Sequence, residues 1–483
     1  MLFNSVSFLL FFPAVCIVYF LLKGKQLSNI FLLIASYLFY MNWEPFYALL
    51  ILTSTLITYF GGILIEKYTD IAKKHSYNSE KKHNKRKIFL ILSLILNLSI
   101  LFFFKYYDFL IENIFALLSY CGVRVNFPHF KILLPVGISF YIFQALGYSI
   151  DIYRGNLKAE KNLITYALFV SFFPQLVAGP IERAKNLLPQ FHASHPFKYA
   201  NFSQGAKMML WGYFLKLCVA DRLAEYVDSV YNNVQMHSSW SLITATIFFT
   251  FQIYGDFAGY SLIAKGCAKC LGYELMENFR RPYLSLNVKE FWKRWHISLS
   301  SWFADYVYIS LGGNRVKFLR MLMNLLITFL ISGLWHGASW NFVLWGLIHA
   351  IYLIIYNIII HFFKVPSYKT PLSKTLNILL TFVLVAFAWI FFRSNNINDA
   401  FSVIKGIFTK SGEIFTGSLT VMLLSFVSLS ILAFKSIKDE FHIPVKIFNH
   451  SNPVIRITAF TFLICYILLF GAMNSHQFIY FQF

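Results

Sequence analysis

The side chain best suited to chemistry stands where charge is least welcome. His336 sits between Trp335 and Gly337 in LLITFLISGLWHGASWNFVLWGLIHAIYLIIY (residues 325–356), an apolar run that also holds His349. An ionisable residue at membrane depth is costly and marks a functional site by default. Low dielectric disfavours imidazolium, so the ring stays neutral there. A neutral imidazole can take the proton of a hydroxyl as its oxygen attacks an acyl carbon, general-base help of roughly 10²–10⁴-fold. Two rival readings stay open at this point. One is plain helix packing, and the other is metal binding, which needs further ligands facing one cavity. Gly333 and Gly337, four apart, predict a close helix crossing beside the ring. His349 reads as a satisfied packing residue or as a second functional group.

Another histidine, His296, lies in NFRRPYLSLNVKEFWKRWHISLSSWFADYVYISLGGNR (residues 278–315), a stretch too polar to span lipid yet rich in aromatics. Trp292, His296 and Ser300 recur at i, i+4 and predict one face of a helix that lies in the interface or dips into the protein; Lys289 and Lys293 share another face. Most of the aromatic rings here read as interfacial anchors. Gly312 and Gly313 predict a turn with left-handed backbone. A second irregular stretch is FFPQLVAGPIERAKNLLPQF (residues 172–191), where Pro174, Gly179, Pro180 and Pro189 forbid a continuous helix. It reads either as a loop packed into the protein or as an interfacial turn.

The elements that must position these groups are membrane helices. Of the 483 residues 58% are hydrophobic and only 13% charged, where a soluble domain carries about a quarter charged residues. Apolar runs near the ~20 residues needed to cross a bilayer fall close to 5–22, 27–43, 46–65, 88–104, 132–150, 163–178, 205–220, 240–264, 318–335, 340–362, 375–392, 418–434 and 456–474. The expected fold is all-α and polytopic, a single membrane-embedded domain over residues 1–483 with about eleven to thirteen spans, some of them re-entrant or interfacial. The first run lacks a basic start and a small-residue cleavage site and is expected to be retained as a span.

The net charge of +21 is explained without nucleic acid, because Lys and Arg collect in cytoplasmic loops. The stretch 66–87 holds eight Lys/Arg against three acids, and further basic loops follow spans at Lys23, Lys364 and Lys435. Placing these inside puts both termini outside. The six cysteines are scattered, and the lone pair Cys267 and Cys270 has no neighbouring ligands in sequence, so no metal site is expected. Neither a His-x-x-x-x-Asp nor a Gly-x-Ser-x-Gly motif occurs, which argues against a serine hydrolase.

FWKRWHISLSSWFADYVYISLGGNR followed by SGLWHGASWNFVLWGLIHA resembles the membrane-bound O-acyltransferase family. LLPVGISFYIFQALGYSIDIYRG, SFFPQLVAGPIERAKNLLPQF and the ending FIYFQF are similar to its bacterial branch, which includes alginate O-acetyltransferase membrane subunits. The resemblance implies helices around a central tunnel, with the two signature histidines falling on His296 and His336. His336 would be catalytic, and His296 would hold the donor or orient the reaction centre. The family's polar motif residues correspond to Arg154, Arg183, Asn278, Arg281, Arg294, Asp305, Asn314 and Arg315, expected to bind substrate. The aromatic tail, residues 475–483, would carry an acyl relay on Tyr480. The resemblance further implies acetyl-CoA or another acyl thioester as co-substrate, no bound cofactor, and a separate extracytoplasmic acetyltransferase that completes transfer to an exported polysaccharide such as an alginate-like exopolysaccharide or peptidoglycan. The setting would be the bacterial cytoplasmic membrane. D-alanyl transfer to teichoic acids is the nearest alternative. A secondary transporter is a reading from another class, which Asp256 in YGDFAGYS would suit.

Overall fold

Where lipid offers no hydrogen bonds, a chain this apolar can satisfy its backbone only inside helices or closed barrels. A computed structural model of the protein describes residues 1–74, 79–123, 134–177, 179–363, 370–445, 447–472 and 478–479, with the side chains of 70–74 and 79–83 left aside. The described residues are helices and connecting turns, with no strand among them. Among the described residues seven helices are long and apolar enough to cross a membrane: Pro45–Thr69, Asn84–Tyr120, Phe318–His336, Trp340–Phe363, Pro371–Arg393, Leu419–Glu440 and Pro453–Phe470. Val6–Leu21 and Leu163–Leu176 are shorter apolar helices. The protein is a multi-pass, all-α membrane protein. Packing divides it into two units, Met1–Lys207 with Ala264–Met276, and Met208–Ile263 with Glu277–Phe483.

In the first unit the helix Ile138–Arg154 is buried along nearly its whole length. It starts after Gly137 at φ 74° and ends on Gly155 at φ 78°, left-handed positions that glycine fills without strain. A Cβ at Gly137 would stand 2.6 Å from the Leu176 carbonyl oxygen. The described residues of 172–191 are therefore packed in protein, the first of the two readings above. They include two short helices, Phe173–Leu176 and Ala184–Phe191, the second with Pro189 inside it, rather than forming a loop throughout. Gln175, Glu182 and Arg183 are all buried. Gln144 and Gln175 both donate side-chain N–H groups to the carbonyl of Phe169, the satisfaction that buried polar groups need. Glu182 accepts the backbone N–H of Met276, and burial pushes its carboxyl up to about 7.

In the second unit the run containing His336 is a hairpin of two helices, Phe318–His336 and Trp340–Phe363, as the span boundaries predict. The close crossing is real, but its partners differ from the sequence expectation. A Cβ on Gly333 would meet the Phe342 carbonyl oxygen at 2.3 Å, and one on Gly346 would meet that of Phe329 at 2.4 Å. Gly333 and Gly346, on opposite helices, let the backbones touch. Gly337 is not part of this face. It lies just past the helix end in extended backbone at φ −165°, under the ring of Phe342.

The region 278–315 also departs from expectation. Its helix breaks at His296. Asn287 caps Val288–Arg294 by accepting the N–H of Glu290, whose carboxylate accepts that of Leu286, the residue before the cap. Trp295 is then extended and His296 left-handed at φ 42° before Ile297–Phe303 resumes. Trp292, His296 and Ser300 thus share no continuous helical face. Nor are most of the aromatics interfacial anchors: Phe291, Trp292, Trp295, Trp302, Phe303 and Tyr306 are buried in protein. The turn at Gly312 and Gly313 is as expected, with φ values of 107° and 55°.

Candidate active site

His296 owes its strained backbone to a strand-like clasp with residues 278–280. The N–H of Ile297 donates to the Asn278 carbonyl and the N–H of Arg280 to the Arg294 carbonyl, both at 2.9 Å. Left-handed backbone in a non-glycine residue costs free energy and persists only where its surroundings over-determine it. The Asn278 side chain completes the clasp. Its Oδ1 accepts from His296 Nδ1 at 3.0 Å and from Ser298 Oγ at 2.9 Å, and its amide donates to Ser261 Oγ at 3.1 Å. An amide oxygen can only accept, so His296 carries its proton on Nδ1 and presents the lone pair of Nε2. Full burial lowers the imidazole pKa to about 3, which keeps the ring neutral.

His336 is the last residue of its helix, nearly completely buried. Its ring meets Trp345 edge-on at 4.8 Å and Phe392 at 5.4 Å. Trp335 links the two histidines, its ring 4.9 Å from His336 and 6.0 Å from His296. The two residues that sequence reading singled out for chemistry are therefore one indole apart.

A cavity of about 450 Å³ lies within the second unit, a size typical of ligand sites. Ile297 and Ser332 are in its wall, while His296 and His336 themselves are not among its lining residues. Leu325, Thr328, Phe329 and Ser332 line it along one stripe of the His336 helix, while Lys289, Lys293 and Ser300 line it from the region around His296. On that stripe the next helical position is His336, one turn beyond Ser332.

The remaining sequence-derived candidates fall into separate places. Arg281, itself left-handed at φ 44°, pairs with Glu440 at 2.6 Å. Arg294 joins Glu290 at 2.6 Å and the same Glu440 at 2.9 Å. These arginines brace the ends of the clasp rather than line the cavity. Asn314 lines the cavity and accepts from Tyr308 Oη at 2.5 Å. Asp305 is half-buried in a π-helical turn, and Arg315 is exposed. Arg154, exposed, and Arg183, buried, belong to the first unit. Tyr480 lies outside the described residues.

Sequence reading missed a buried ion cluster. Lys216 bonds to Asp221 at 2.8 Å and to Asp256 at 2.7 Å, with all three side chains out of solvent. It singles out Asp256 in YGDFAGYS but not its partners; the signal for them was a lysine inside the apolar stretch YFLKLCVA. His349 differs from its packing expectation too. It is fully buried among Phe291, Trp292 and Trp345, and neither ring nitrogen has a hydrogen-bond partner among the described residues. Among the described residues no cluster of three or more His, Cys, Asp or Glu could hold a metal.

Comparison with known proteins points one way. The profile of the membrane-bound O-acyltransferase family matches residues 35–398. A Pseudomonas aeruginosa protein named "Probable alginate O-acetylase" is 35% identical over 455 residues, covering 92% of this chain and 83% of its own length. A peptidoglycan O-acetyltransferase of Helicobacter pylori is 34% identical over 443 residues, 85% of this chain and 80% of its own. A teichoic acid D-alanyltransferase of Bacillus subtilis is 27% identical over 278 residues, 55% of this chain and 70% of its own.

Proposed function

The chain belongs to the membrane-bound O-acyltransferase family and is an O-acyltransferase, and from that premise we propose that it carries an acetyl group from a cytoplasmic thioester across the membrane, for O-acetylation of an exported cell-envelope polysaccharide. His336 is the general base. The hydroxyl of Tyr480 gives its proton to His336 and attacks the thioester carbonyl. The ester C–O bond forms, the C–S bond breaks, and the thiolate leaves with that proton. A separate extracytoplasmic acetyltransferase then moves the acetyl group to a sugar hydroxyl and returns the hydrogen to Tyr480. The membrane is the bacterial cytoplasmic one, with both termini outside.

The observation that carries this reading is the cavity lined by Leu325, Thr328 and Ser332 on the helix whose last residue is His336. Lys289 and Lys293 in its wall suit the phosphates of a thioester cofactor, since ammonium groups bind phosphate as compact charges. The basic stretch that begins at Lys364 follows the hairpin's second helix in sequence; the excess of Lys and Arg on cytoplasmic sides supports an orientation with that helix end toward the donor. An aromatic wall around the neutral imidazole excludes water, which keeps the acyl group from hydrolysis.

The test is Tyr480→Phe in cells that make the polymer, with ester-linked acetate released by mild base and quantified. Loss of acetate with the protein present in the membrane supports the relay; full acetylation removes it. Release of D-alanine in place of acetate would favour D-alanyl as the transferred group, as in the name of the Bacillus subtilis relative.

A further inference from the structure

The cluster of Lys216, Asp221 and Asp256 has no part in the scheme above, yet three buried ionisable groups are costly to hold away from water. One ammonium faces two carboxylates in the protein interior. Buried ions require excellent geometry and additional hydrogen bonds to offset their lost hydration. One such bond comes from far along the chain: the backbone N–H of Ile479 donates to Asp256 Oδ2 at 2.7 Å. Phe478 beside it is fully buried, its ring 4.6 Å from Tyr260 and 5.7 Å from Phe257. Phe257 in turn meets the ring of His296 edge-on at 4.5 Å. A second attachment lies where the last long helix ends, with the N–H of Ala472 donating to the Leu217 carbonyl at 2.9 Å. Leu217 and Lys216 both sit in the π-helical segment Phe214–Ala220, a form that recurs at functional sites.

We propose that Asp256 is a positioning residue, a buried anchor held by Lys216 that clamps the C-terminal segment by its backbone at Ile479, next to the aromatic wall of His296. Apolar burial alone leaves an aromatic segment free to slide by a residue. A carboxylate that accepts one particular backbone N–H fixes the register, because a charge-assisted hydrogen bond is strong and directional. The residue that follows in sequence is Tyr480, so the consequence for catalysis rests on the relay reading, while the clamp itself does not.

Ile479→Pro removes the N–H that Asp256 accepts and leaves the Lys216, Asp221 and Asp256 side chains in place; Ile479→Val keeps it. Phe483→Cys in the full-length protein supplies a site for a membrane-impermeant maleimide, and its labelling rate, after subtraction of the labelling of the chain without it, is compared with and without the Ile479 substitutions. The expected result for Ile479→Pro is labelling faster by on the order of tenfold, with a comparable fall in the kcat of acetyl transfer and an unchanged KM for the thioester. Ile479→Val matches the parent in both. Asp256→Asn gives the same direction if it folds; the proline variant decides if it does not. Equal labelling in the proline and valine variants overturns the clamp. Faster labelling with undiminished transfer overturns the positioning role. Full activity of Tyr480→Phe would overturn the relay alone, because the labelling readout is independent of turnover.

Discussion

The Oδ1 of Asn278 holds His296 through Nδ1 at 3.0 Å, across a gap of eighteen residues. The same oxygen serves Ser298. One amide therefore sets a backbone clasp, a histidine tautomer and the start of the helix Ile297–Phe303, which makes it a sensitive point for mutation. Asn278→Ala leaves buried donors without partners, each costing about 1–3 kcal/mol. The expected outcome is a clear drop in the thermal unfolding temperature of the purified protein together with loss of acyl transfer. Asn278→Asp, which retains the accepting oxygen, should recover most of the stability.

His336→Gln keeps volume and polarity but has no basic nitrogen. Acyl transfer should fall by about 10²-fold or more while the unfolding temperature moves little. Rates measured with membranes, a radiolabelled acetyl thioester and the partner transferase check this. An undiminished rate would remove His336 from the chemistry and leave it a packing residue among Trp335, Trp345 and Phe392.

Lys289 and Lys293 line the cavity from one side. Replacing both with Gln should raise the KM for a phosphate-bearing thioester about tenfold with a smaller change in kcat, the signature of lost uniform binding. A short acyl thioester without phosphates should show no such difference between variant and parent.

Gly333→Ala puts a methyl group 2.3 Å from the Phe342 carbonyl oxygen, so the helices of the hairpin must separate. Overpacking of this kind costs about 1–3 kcal/mol. Thermal unfolding in detergent should register the loss, and transfer should fall with it, since His336 ends the displaced helix.

Glu182 supplies a dependence on pH. Its folded pKa is raised by burial from 4.5 to about 7. Between those values the folded state holds a proton that the unfolded state has released, so stability falls as pH rises through that window and levels off above it. Glu182→Gln removes the titration. Unfolding temperatures of the variant should therefore decline less than those of the parent between pH 5 and pH 7.5.

Much of the fold was legible along the chain. Apolar runs of bilayer length predict helices because lipid leaves the backbone no other partner, and the hairpin boundaries on either side of Gly337 were correct for that reason. His336 stood out because a titratable ring within such a run is costly. The i, i+4 reading of Trp292, His296 and Ser300 failed because it assumed an unbroken helix, whereas Asn278 and Arg280 pull the chain into a left-handed turn at His296. Periodicity along one segment carries no signal for a bond from another.

The sequence by itself determined the class of molecule, the two histidines and the glycine-rich crossing, since hydrophobicity and residue type are local properties. Only the tertiary structure decided which glycines meet, that Trp335 separates His296 from His336, and that Lys216 joins the Asp256 that accepts the Ile479 N–H. Those pairings are settled by close packing and by the demand that every buried charge find its counterpart, and both are conditions on space rather than on order along the chain.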